Sequence, residues 1–393
     1  MTSIQPPQEN YAFIEGGLFR KVQLKFGMEN HQALLAIAGI CFAWLPLLVL
    51  TAVDGTLYYG PVKPFLVDFA VHARFLIAAP LLILARNPIS AKAGAVTKYL
   101  TDSLLTEEER KKMLSTSLPF YRKLACSSLT EMILIVLILI SVLGLIKTGT
   151  YGGLHGDVST WMFEGRPEDN IMTSAGKWAV FISLPFFQFL LLQWFWRYIV
   201  WVIFLFRFSK APMELLPTHA DRSAGLGVII LAQRSFSVVF MAGSFVISGQ
   251  LITNFIHTPD SGKIILTVVI GYVILCIIFL FLPMIFFIGR LVKTKQKGLL
   301  RLSLLATELS RKFEKGWLNE VPIEERIETQ QVDPSMAYDY ASMYDNLQQL
   351  HIVPVSKNDV IGMVLTLILP FVPIVFVYYS ATEVLQKIVS LLF

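Results

Sequence analysis

Charge is what this sequence has least of. Asp, Glu, Lys and Arg make up 16% of its 393 residues, against roughly a quarter in an ordinary soluble domain. A water-facing shell for a chain of this size is therefore missing. Cysteine is nearly absent too. Cys41, Cys126 and Cys276 fall in or beside different apolar runs with no CxxC spacing, which excludes a disulfide framework and a thiolate metal cage. No HExxH, no nucleophile elbow and no glycine loop ending in Gly-Lys-Ser/Thr occurs, so the common metal-hydrolase, serine-hydrolase and nucleotide chemistries have no motif to stand on. The expectation is a protein without cofactor or metal, more readily not an enzyme, and with no nucleic-acid partner. A signal-peptide pattern is lacking as well, because the first cation is Arg20 and the first apolar run is long.

What the chain does have is long apolar runs. Hydrophobic residues make up 55%, mean hydropathy is +0.62, and a helical crossing of the hydrocarbon needs about 20 apolar residues. Seven runs qualify: Ala33–Val53, Phe65–Ala85, Ser127–Ile146, Trp178–Phe206, Gly225–Ile256, Ile264–Gly289 and Val360–Ser380. They are continuously apolar and not alternating, so they read as helices and exclude a barrel. The fold class is all-α, a polytopic helical membrane bundle of about seven transmembrane helices.

The cations orient it. Of 33 Lys and Arg residues, 24 fall in one alternating set of non-membrane segments and six in the other, while Arg74, Arg197 and Arg234 lie inside runs. The positive-inside rule then places the N-terminus in the cytoplasm and the C-terminus outside, in a cell's inner (plasma) membrane. The partners implied are the bilayer with its anionic lipid headgroups, with room for a homo-oligomer or a cytoplasmic protein. Four regions follow. Residues 1–32 form a cytoplasmic or interfacial lead, 33–289 a membrane domain with six spans, 290–359 a cytoplasmic helical insert, and 360–393 the last span with an amphipathic tail.

Within the insert, Leu299, Leu302, Leu305, Leu309 and Phe313 recur at helical spacing, as do Met336, Tyr340, Met343, Tyr344 and Leu347. Thr106, followed by Glu107, Glu108 and Glu109 and then three cations, predicts the start of a short surface helix. The glycines between Lys147 and Lys177 read as a flexible outer loop. The tail beyond Ser380 sets Leu385, Ile388, Val389 and Leu392 against a polar face, as an interfacial helix would.

Charges inside spans are the candidate functional residues, since each costs about 2.5–3.5 kcal/mol at mid-helix unless paired or wet. Asp68 and His72 stand four apart and predict a local pair on one helix face, with His72 also a candidate proton relay. Arg74 falls on another face, and nine residues past Phe65 it would lie roughly 14 Å deep. Arg234 lies either mid-membrane or at the inner edge, depending on where the fifth span begins. Arg197, among Trp194, Trp196, Tyr198 and Trp201, reads as a side chain snorkelling to headgroups. Ser237, Ser244 and Ser248 read as a close helix-packing stripe.

Ahead of the fifth span, Pro217-Thr218-His219-Ala220-Asp221-Arg222-Ser223-Ala224-Gly225-Leu226-Gly227 suggests two things. One is a capped helix entrance. The other is an anion or headgroup contact built from His219, Asp221, Arg222 and the amides near Gly225 and Gly227. With Trp194-Phe195-Trp196-Arg197 before it, this stretch resembles a family of uncharacterised bacterial multi-pass membrane proteins with a Pro-x-His-x-Asp-x-Ala-Gly-Gly-Leu-Gly type loop. Here Ser223-Ala224-Gly225 stands in place of Ala-Gly-Gly. The C-terminal third is similar too, from Tyr344 through Val353-Pro354-Val355 to a final span with Pro370 and Pro373. The resemblance implies membrane class and bacterial origin but no activity.

Three functions remain in play. Foremost is a transporter or channel for a small polar or anionic solute, using Asp68, His72, Arg74 and Arg234. Next comes a scaffold, sensor or assembly partner acting through the 290–359 insert. Last is a lipid-modifying enzyme with His219 and Asp221 as acid and base.

Overall fold

The structure is a computed structural model that describes residues 11–14, 16–17, 31–61, 63–148, 160–164, 171–257, 262–314 and 334–378. It is 80% helical. Among the described residues nine helical segments organise it: α1 (Gln32–Val53), α2 (Phe69–Leu104), α3 (Glu107–Gly144), α4 (Ser174–Phe208), α5 (Ile229–His257), α6 (Ile264–Ile285), α7 (Ile288–Phe313), α8 (Pro334–Gln348) and α9 (Lys357–Val377). All but α7 and α8 are long and apolar enough to cross a membrane, which makes the chain a multi-pass membrane protein. Antiparallel strands β1 (Phe163–Glu164) and β2 (Ile171–Met172) form a small hairpin between α3 and α4. We call the end of the bundle that carries it the hairpin face, and the end that carries α7 and α8 the insert face. The tail beyond residue 380 and most of the glycine loop lie outside the described residues.

Helices α2, α4 and α5 form the interior, and α1, α3, α6 and α9 stand around them with most of their apolar side chains outward. Leu139, Ile140 and Leu143 on α3 are more than half exposed, as are Leu266 and Ile278 on α6. Water would penalise such faces, whereas hydrocarbon does not. The expected small-residue stripe packs inward: Ser237, Ser244, Ser248 and Thr253 on α5 are buried. A Cβ on Gly249 would stand 2.6 Å from Ala73 Cβ and 2.7 Å from the Phe69 carbonyl oxygen. Only glycine lets α5 approach α2 so closely.

Proline shapes three of the spans in the same way. A π-helical turn at Ala73–Ala78 precedes Pro80, one at Met113–Ser117 precedes Pro119, and one at Ala179–Ser183 precedes Pro185. Proline lacks an N–H and its ring collides with the carbonyl one turn back. The wider turn moves that carbonyl aside, so the helix continues through the proline.

Three expectations need correction. The second span does not end at Ala85, because Arg86, Asn87 and Pro88 fall in the first turn of a helix that runs on to Leu104. The fifth helix starts at Ile229, so residues 225–228 belong to the preceding loop. The described part of the lead is not laid on a surface: Tyr11, Phe13 and Ile14 are buried. Phe13 sits among Tyr121, Trp201 and Phe204, with ring centroids 5.0–6.1 Å apart.

The insert is bonded to the segment between α4 and α5: Arg290 Nη1 donates to the Ala211 carbonyl and Arg222 Nε to Asn346. Within the insert, Lys295 Nζ donates to the carbonyls of Gln348 and Leu350, and Leu347 and Leu350 are buried. Leu305, by contrast, is 45% exposed and does not join Leu299 and Leu302 against the core.

The packing of α5 on α2 is testable. Gly249→Val is expected to lower the midpoint of thermal unfolding in detergent sharply, since overpacking costs about 1–3 kcal/mol and here the obstruction includes backbone. Gly271→Val, at a position with nothing within 4 Å, should leave the midpoint nearly unchanged.

Candidate functional site

The most concentrated group of intramembrane charge lies at the hairpin face. After α1 the chain returns through Lys63 and a 3-10 turn at Phe65–Val67, and α2 begins at Phe69. Lys63 pairs with Thr160 in an isolated bridge, and the Trp161 amide donates to the Lys63 carbonyl. The 160–162 segment is thereby strapped over the start of α2. Lys63, Asp68 and Trp161 are at most 3% exposed. Asp68 Oδ2 accepts from Lys63 Nζ at 3.3 Å and from Trp161 Nε1 at 3.0 Å, while Asp68 Oδ1 is buried and meets no donor among the described residues.

These residues line a pocket of about 50 Å³ with Arg74, Gln250 and Thr160, enough for a few waters or a small ion. Arg74 is half-buried there. Among the described residues it makes no hydrogen bond or ion pair, although it lies within the field of Asp68. Residues 65–68 are not α-helical, so Arg74 stands five residues, roughly 7 Å, along α2.

His72 does not pair with Asp68. Its Nδ1 accepts from Trp44 Nε1 at 3.0 Å and its Nε2 faces the Leu66 carbonyl at 3.2 Å. The i, i+4 argument fails because Asp68 precedes the helix, with φ −83° and ψ 80°. Both ring nitrogens of His72 are thus engaged, by Trp44 and by the Leu66 carbonyl.

The second expected site, the 217–227 loop, is already occupied by its own side chain. Asp221 Oδ1 accepts from the amides of Ser223 (2.9 Å) and Gly225 (3.1 Å), and Oδ2 accepts from the Gly227 amide at 2.9 Å. Arg222 and Ala224 adopt positive φ to aim those amides. Burial pushes the Asp221 carboxyl up, but the three amides together with His219 outweigh it and hold the group below its ordinary range. His219 Nδ1 is 2.8 Å from Asp221 Oδ1, and His219 Nε2 is 3.3 Å from Tyr99 Oη. Arg222 is spent on the insert, with its Nε donating to Asn346 and its carbonyl accepting from His351. The expected anion nest is real, and the anion it holds is Asp221.

Arg234 is at the insert face, five residues into α5, where Nη1 lies 3.3 Å from Asp359 Oδ1. Asp359 is itself fixed by a capping box with Ser356 at the start of α9. The helix that carries Arg234 thus begins between the two starts considered, Gly225 and Phe236.

Arg197 does not snorkel. It is 2% exposed and stacks over Trp194, with its Cζ 5.3 Å from the ring centroid. The Gly16 carbonyl accepts from Arg197 Nη2 at 3.0 Å and from Arg86 Nη2 at 2.7 Å. Glu131 belongs to the same cluster. Gln193 Nε2 donates to its Oε1, which would stand 2.5 Å from any Cβ on Gly17. Sequence reasoning missed this cluster. Glu131 falls inside the third apolar run at the same depth as Arg86 and Arg197, a coincidence that pairing acids with cations by depth would have exposed.

No family model matches the chain, and no curated protein or solved structure is similar to it.

Two outcomes follow from this geometry. Lys63→Met should cost about 3–5 kcal/mol by stranding a buried carboxylate, whereas Lys63→Met with Asp68→Leu should recover most of that loss. Thermal unfolding in nanodiscs reads both. Asp221→Asn turns one end of the group into a donor facing an amide, and should cost about 2 kcal/mol. Because the Asp221 pKa is lowered in the fold, its contribution is complete above the ordinary carboxylate range, near pH 4, and is lost only as pH falls through the lower folded value. Amide exchange at 223–227 should therefore stay slow at pH 5 in the parent protein and be fast at every pH in Asp221→Asn.

Proposed function

We propose that this multi-pass membrane protein binds a small anionic solute in the hairpin-face pocket and passes it across the bilayer, as a transporter or channel does. One observation carries the reading. Lys63 and Asp68 neutralise each other, so Arg74 leaves the pocket with one uncompensated positive charge in a setting where such charges are expensive. Asp68 Oδ1, buried without a donor, favours a solute that also carries a hydrogen-bond donor. A pocket of about 50 Å³ suits an anion of a few heavy atoms.

Access would run past the 160–162 strap. The distribution of Lys and Arg supports an orientation with the insert face in the cytoplasm and the hairpin face outside, in a plasma membrane. The enzyme reading loses support because His219 has both nitrogens engaged and Asp221 is consumed by the loop amides.

Uptake into proteoliposomes tests this. Across a panel of chloride, formate, lactate and bicarbonate, the parent protein should raise the flux of at least one anion. Arg74→Ala should reduce it at least tenfold at equal incorporation, and Arg74→Lys should retain part. Equal flux through the parent and Arg74→Ala would refute the assignment.

A further inference from the structure

A second open space lies at the insert face, between α2, α5 and α9. It has a volume of about 380 Å³ and is lined by Lys92, Arg234, Ser237, Leu231, Val238 and Met363, with Gly362 and Thr366 on the α9 side. Its two ends differ in chemistry. Lys92 and Arg234 supply positive charge, whereas Leu231, Val238 and Met363 supply an apolar wall. Lys92 is exposed and has no ion-pair partner among the described residues.

Arg234 is half exposed, and Asp359 holds only its Nη1. The rest of that carboxylate is spent on Ser356, whose amide and hydroxyl donate to Oδ2. Asp359 therefore acts as a pedestal that fixes the guanidinium and leaves its other nitrogen toward the groove. Arg234 Nη2 lies on the Gly362 side of the groove, 3.6 Å from where a Cβ on that residue would stand. The Ser237 and Thr366 hydroxyls donate to their own helix carbonyls, so recognition rests on the two cations.

The position is as telling as the lining. Arg234 lies about 7.5 Å into α5, and Lys92 lies about 9 Å beyond Arg86, where the apolar run of α2 gives way to polar sequence. The groove thus straddles the boundary between headgroups and hydrocarbon on the more basic face.

We infer that this groove binds the phosphate of an anionic phospholipid, held between Lys92 and Arg234, with the upper acyl carbons against Leu231, Val238 and Met363. A guanidinium takes phosphate oxygens in a fixed fork and an ammonium adds a point charge. The apolar wall is what a free phosphate would not use. The site is separate from the hairpin-face pocket, at the opposite end of the bundle.

The test is thermal unfolding in nanodiscs of phosphatidylcholine, with and without 30% phosphatidylglycerol. A third sample contains phosphatidylcholine with millimolar inorganic phosphate. Phosphatidylglycerol should raise the midpoint of the parent protein by several degrees, and inorganic phosphate should not. The double variant Lys92→Ala with Arg234→Gln should lose at least half of that rise. Lys111→Ala with Lys112→Ala, which removes two exposed cations elsewhere, should keep it. Native mass spectrometry of the parent should retain one or more bound phosphatidylglycerol molecules that the groove variant sheds. An equal rise in the groove variant and the parent, or no rise in the parent, would overturn the inference. Protection by inorganic phosphate alone would overturn the lipid as its source.

Discussion

The carbonyl oxygen of Gly16 accepts from two arginines at once, Arg86 from α2 and Arg197 from α4. Beside them Glu131 enters from α3, braced by Gln193. This cluster joins the N-terminal lead to three spans at one depth. Two guanidiniums and a carboxylate could not enter a bilayer separately, because hydrocarbon offers them no solvation. Once gathered, they fix how deep each helix sits relative to the others. Gly17 is part of the same requirement. Its φ of +87° and the closeness of Glu131 leave no room for a side chain. The aromatic seat of Phe13 then closes the lead over the cluster.

The two ends of the bundle treat charge differently. At the insert face several polar groups are engaged by the fold: Asp221 by loop amides, Arg222 Nε by Asn346 of α8, Lys295 by the carbonyls at the end of α8. The groove beside Arg234 is the exception, and it opens toward lipid. At the hairpin face the balance is left incomplete. Among the described residues Asp68 is satisfied on one oxygen and not the other, and Arg74 has no counter-group in contact. A buried polar group without a partner costs free energy that folding alone does not require.

Much of the architecture is legible from residue order. All seven spans are visible as apolar runs, and the serine stripe of α5 announces a packing face. The charged residues are harder, and each failure has a local cause. Asp68 was placed on a helix face by counting, but a 3-10 turn and a non-helical φ, ψ pair put it ahead of the helix. Arg197 carries the aromatic belt of a snorkelling residue, yet it turns inward because Gly16 and Glu131 await it there. Asp221 followed by Gly225 and Gly227 reads as an anion nest from sequence, and nothing in the spacing reveals that Asp221 itself would fill it. Arg86-Asn87-Pro88 looks like a helix stop. Pro88 falls in the first turn of the continuing segment, where its missing N–H costs little.

Composition and run length by themselves determined that this chain lives in a bilayer as a bundle of seven spans, because hydrocarbon thickness and backbone hydrogen bonding admit few other solutions. They also determined which residues must be explained, since an intramembrane charge is costly wherever it sits. Which partner each charge takes was decided only by the tertiary structure. Trp161 meeting Asp68, or Arg197 meeting Gly16, joins residues far apart in the chain, and a helical period carries no information about its neighbour's rotation or depth. Arg74 is the clearest case. Its charge was visible in the sequence, and only the packing of α2, α5 and the strap around it left that charge facing a pocket.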